Sequence, residues 1–86
     1  MRELTILTYD YVPEILERRG PFRDRHLSLL AEHGCVMGGA VGDPPHGALL
    51  VFEDHTSASA FVASDPYVAN SLVTASRIDS WALAVG

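Results

Sequence analysis

Residues 3–9, ELTILTY, alternate between two faces, with Leu4, Ile6 and Thr8 on one and Thr5, Leu7 and Tyr9 on the other. A period of two with β-branched residues predicts a strand. In the next stretch, VPEILERRGPF, Pro13 opens a short helical turn and Gly20-Pro21 closes it. From Phe22 to His33 the apolar positions recur at helical spacing, with Gly34 as a left-handed stop. CVMGGAVG (35–42) reads as a glycine-weakened strand, DPPHG (43–47) as a turn, and ALLVFED (48–54) as the strongest strand of the chain. Thr56 is the expected N-cap of the helix SASAFVAS, and Asp65 that of a second segment, PYVANSLV. SRIDSWALAV (76–85) alternates again and closes the chain as a strand.

The predicted order is strand, helix, strand, strand, broken helix, strand. That is the split βαβ pattern of ferredoxin-like α+β folds, βαββαβ, with a four-stranded antiparallel sheet. Both helices of such a fold cover one sheet face, so a monomer should leave the other face polar. Here Leu49, Leu50, Val51 and Phe52 are apolar on both faces, and Ile6 and Leu7 repeat this on the first strand. A sheet that is apolar on both sides needs a second cover. A homodimer with the open faces packed together supplies it.

With 86 residues the chain is read as one domain, residues 1–86, with little surface to bury by itself. The single cysteine, Cys35, can form no intrachain disulfide, which points to a reducing, cytoplasmic setting. The opening MRELTILTYDY lacks an apolar leader core, and no run is long enough to span a bilayer. A net charge of −5 excludes a general nucleic-acid binder. All six basic residues are arginines, and Arg18, Arg19, Arg23 and Arg25 fall in one short stretch. Such a cluster either steers a small anion or forms a solvated turn.

On the helix of 22–33, Leu27, Leu30 and Ala31 define the expected core face, with Phe22 and Leu29 on a second apolar sector. His26 lies inside that wide apolar arc, where either a pocket wall or a core histidine would sit. Asp65 precedes Pro66, a strong helix-start pattern, so capping is its first expected role. A capping carboxylate still has a second oxygen to offer an imidazole. His33, Cys35 and His46 match no metal-site spacing, so no metal is expected.

RDRHLSLLAEHG (23–34), joined in order to GALLVFED (47–54) and SASAFVASDPYVANSLV (57–73), resembles the YCII-related family over nearly the whole chain. The resemblance implies the dimeric α/β barrel form of the ferredoxin-like fold, with a His–Asp pair in a pocket. Carried over by position, the pair is His26 and Asp65, and Arg23 stands at the family's arginine. The family's activities include removal of chloride from a chlorinated hydroxyhydroquinone. A histidine oriented by a carboxylate is a sound acid or base near neutral pH. Arg23 would hold a substrate oxygen, and Tyr9 and Tyr67 would line the pocket. The expected function is therefore cofactor-free lyase or isomerase chemistry on a small polar ring. The alternative is a non-catalytic module that binds a small ligand or a protein in the same cleft.

Overall fold

The computed structural model describes residues 2–86. The elements run β1 (Glu3–Tyr11), α1 (Ile15–Arg18), α2 (Gly20–Glu32), β2 (Met37–Val41), β3 (Gly47–Phe52), α3 (His55–Ser64), α4 (Pro66–Ala69) and β4 (Val73–Ala82). The four strands form one antiparallel sheet in the order β2-β3-β1-β4, the ferredoxin-like α+β arrangement the sequence pattern predicts.

Register decides which alternating set of side chains meets the helices. Leu7 lies opposite Leu50 and Tyr9 opposite Ala48, so these residues share a face. With Phe52 they form the main core against Leu29 of α2 and Ala58 and Phe61 of α3. Ile15, Tyr67 and Leu72 make a smaller cluster where α1 and α4 meet the start of β4. At the start of β3, Gly47 passes so close to the Tyr9 carbonyl that a β-carbon there would overlap it. Only glycine lets the two strands approach to that distance.

The opposite sheet face carries Ile6, Leu49 and Val51, flanked by Met37 of β2 and Trp81 of β4. Leu49, Met37 and Trp81 are 41, 58 and 38% exposed, an unusual load of large apolar side chains for an open face. Phe52 points the other way, into the core.

Several local expectations are corrected by the structure. Gly20 and Pro21 do not end a helical turn; they open α2, where proline fits a first turn that has no hydrogen-bond use for its missing N–H. The buried face of α2 is His26 and Leu29, whereas Leu27 and Ala31 are exposed. The sector centred on His26 and Leu29 faces α3 and the sheet, and of the predicted core face only Leu30 joins it, half-buried against the core. The N-cap of α3 is Asp54, not Thr56, its carboxylate accepting from the Ser57 N–H at 2.8 Å. β2 is shorter than read, and β4 starts and ends three residues early. Among the described residues, no helix is long and apolar enough to cross a membrane.

Candidate functional site

The site forms where the middle of α2 meets the break between α3 and α4. Pro66 biases Asp65 away from the helical region, and Asp65 sits extended at φ −72, ψ 119. That break ends α3, starts α4 and turns the carboxylate inward. Asp65 is 1% exposed and accepts three hydrogen bonds. Oδ1 takes His26 Nδ1 at 2.9 Å and the Tyr67 backbone N–H at 3.0 Å, and Oδ2 takes the Tyr9 hydroxyl at 2.8 Å. Capping and imidazole contact are thus both realised, on the same oxygen.

A carboxylate is acceptor-only, so the proton of the His26–Asp65 bond belongs to Nδ1. This leaves Nε2 of neutral His26 with its lone pair free, and no described residue bonds it. The ring is clamped as well as bonded. Tyr67 stacks flat on it, with centroids 3.8 Å apart and planes 3° from parallel, and Phe61 meets it edge-on at 5.7 Å.

His26 and Tyr67 line a cavity of about 240 Å³ together with Tyr11, Arg19, Arg23 and residues 38–40 of β2. This is room for one small ring, below the span of drug-sized sites. Arg23 and Tyr67 stand at the cavity, as expected. Tyr9 does not; it lies behind Asp65 and fixes the carboxylate from the far side. Arg19 and Tyr11 were not singled out as site residues by sequence. Arg19 was legible only as one of the clustered arginines, and nothing local marked Tyr11. A larger hollow of about 400 Å³ on the open sheet face has no ionisable side chain in its wall.

All three tyrosines are held in the protonated form. Burial, reinforced by the Asp65 charge and hydrogen bond, pushes the Tyr9 phenol far up. Burial and the neighbouring Tyr67 and Asp65 push Tyr11 up to about 12, against the pull of Arg19 and Arg23. Tyr67 is raised by burial, with Arg23 and Arg19 opposing. Its hydroxyl is buried beside the Arg23 guanidinium, without a well-formed hydrogen bond.

No family model and no curated protein matches the sequence. Solved structures do share the fold. The 5-chloro-2-hydroxyhydroquinone dehydrochlorinase TftG from Burkholderia phenoliruptrix AC1100, in complex with 2,5-dihydroxybenzoquinone, superposes with a TM-score of 0.72 at 22% identity, covering 92% of this chain and 93% of that one. A protein of unknown function from Nitrosomonas europaea gives 0.57 at 17% identity, covering 99 and 91%. A candidate antibiotic biosynthesis monooxygenase from Deinococcus radiodurans gives 0.59 at 11% identity, covering 98 and 94%. At these identities the likeness is one of fold.

Proposed function

We propose that this chain is a YCII-like enzyme that moves a proton on a small polar ring compound without a cofactor, in lyase or isomerase chemistry. The observation that carries the reading is the buried contact of His26 Nδ1 with Asp65 Oδ1, 2.9 Å, on a ring that also lines a cavity. His26 Nε2 takes a proton from a bound ring and returns it, or delivers it to a leaving group. Asp65 holds the Nδ1–H tautomer and stabilises the imidazolium that forms. Tyr9 keeps the carboxylate in place, and Arg23 binds a ligand oxygen. The ring ligand of the dehydrochlorinase structure supports this substrate class.

The chain also works as a homodimer in this reading, with the open face of Ile6, Leu49 and Val51 covered by a second copy. The test is turnover. Hydroxyaromatics and small lactones are screened with wild type and His26→Ala, and only wild type should convert one. A compound that binds tightly and is never converted would replace the enzyme with a binding module.

A further inference from the structure

β2 contributes no side chain to either core, because its positions on the helix side of the sheet are nearly bare. Gly38 lies opposite Leu50 and Ala40 opposite Ala48, so these residues share the face turned towards α2. A large side chain at 38 or 40 would fill the space beneath the helix, as Leu7 and Phe52 do further along the sheet. Instead both positions line the cavity of the site, with Ala48 and Leu50 beside them. Across from them stand Arg23, His26, Leu27 and Leu30, which the spacing i, i+3, i+4, i+7 puts on one face of α2.

A bare strand at a sheet edge is by itself only thin. The histidine gives this one a use. The His26 side chain is 6% exposed, Asp65 takes its Nδ1, and no described residue meets its Nε2. A polar atom so enclosed is costly to leave without a partner, and the cavity is the one direction from which a partner can come. Leu27, a large apolar side chain 45% exposed, stands on the same helix stripe. The sheet side of the cavity therefore offers only carbon from its side chains, and the helix side offers Leu27 and Leu30 with one imidazole nitrogen. A ring with bare faces fits such walls. A ring with hydroxyls on its faces would strand them against carbon.

We propose that Gly38 and Ala40 are the specificity-determining positions of this site. Their lack of bulk leaves a slot for one face of a flat, unsaturated ring, whose other face meets Leu27 and Leu30 and whose edge meets His26 Nε2. The ligand class is a single aromatic or quinonoid ring that carries its polar groups in its own plane. A saturated ring of the same size is rejected. The inference rests on the reading that the cavity is the functional site, and it narrows the substrate class of that site.

The experiment is calorimetric titration at neutral pH with resorcinol and with trans-1,3-cyclohexanediol, a puckered ring on which one of the two hydroxyls must project from a face. Wild type should bind resorcinol and discriminate against the diol. Ala40→Val should weaken resorcinol binding by about tenfold, the usual cost of crowding a packed contact, and Ala40→Leu by more. Their melting temperatures should stay close to that of wild type, because Ala40 is exposed on an edge strand and valine suits a strand. Ala82→Val, the same change on the opposite edge strand, should leave binding unchanged. Leu27→Ala probes the other wall without adding bulk, and should weaken binding by roughly fivefold through lost apolar contact. Equal binding of the two rings, binding of neither, or Ala40→Val or Leu27→Ala within about twofold of wild type would overturn the slot. Turnover separates the two readings. Resorcinol binding that tracks the size of residue 40, with no hydroxyaromatic turned over, leaves the slot and removes the enzyme. Turnover that Ala40→Val and Ala40→Leu leave unchanged does the reverse.

Discussion

Nδ1 of His26 and Oδ1 of Asp65 are 2.9 Å apart although 39 residues separate them along the chain. The same oxygen caps α4 through the Tyr67 N–H, and Tyr67 in turn stacks on the imidazole. The helix start and the histidine are therefore one piece of structure. Moving the cap moves the ring.

The first prediction separates those roles. By capping preference alone, asparagine is nearly as good as aspartate at position 65. With Tyr9 and His26 both donating to the side chain, it is not, because an amide has one acceptor oxygen where the carboxylate has two. Asp65→Asn should cost about 1–3 kcal/mol in urea denaturation, with helix content retained. Asp65→Ala should cost more, about 3–5 kcal/mol, since it strands three donors.

The tautomer of His26 is a second prediction. In the neutral form Nδ1 should carry the proton and Nε2 the lone pair, as read from the two ring ¹⁵N shifts and their couplings to the ring protons. A ring protonated at Nε2 instead would contradict a donated Nδ1–H and would remove His26 as a base facing the cavity.

The two sheet faces should respond in opposite ways to charge. Leu49→Asp, on the open face, should turn a homodimer into a folded monomer of 9.3 kDa by sedimentation. Phe52→Asp places a charge among Leu7, Leu50 and Phe61 and should prevent folding, seen as loss of the folded circular dichroism spectrum. Wild type sedimenting as a monomer at micromolar concentration would remove the dimer.

Alkaline pH should unfold the protein through its tyrosines. The folded chain raises all three above their ordinary value, so it holds these protons at pH values where the unfolded chain releases them. Their contribution is fully present below about pH 10, the unfolded value, and is lost as pH rises through the folded values. The urea midpoint should fall above that pH. Phenolate absorbance should rise together with unfolding rather than before it, and a tyrosine titrating freely at its ordinary value in the folded protein would contradict the burial.

The sequence by itself determined the element order, and through it the fold, because strand alternation and helix spacing are local and the stop at Gly34 and the break at Asp65-Pro66 need only neighbouring residues. It also placed His26 in an apolar arc and made Asp65 a cap, both of which hold. Which sector of α2 is buried was decided by packing. Leu27, Leu30 and Ala31 make as good a stripe as His26 and Leu29 until Phe61 and the sheet bury His26 and Leu29, keep Leu30 at the edge of the core and leave Leu27 and Ala31 exposed. Alternation likewise gave two apolar sets on β3 without saying that the helices would take Ala48, Leu50 and Phe52 and leave Leu49 and Val51. The site belongs to this second kind. Tyr9 reaches Asp65 from 56 residues away, and Arg19 comes to the same cavity as Tyr67 only because α1 and α2 pack against α4. Such meetings depend on where a strand's register and a helix's roll bring side chains in space, and no local pattern encodes either.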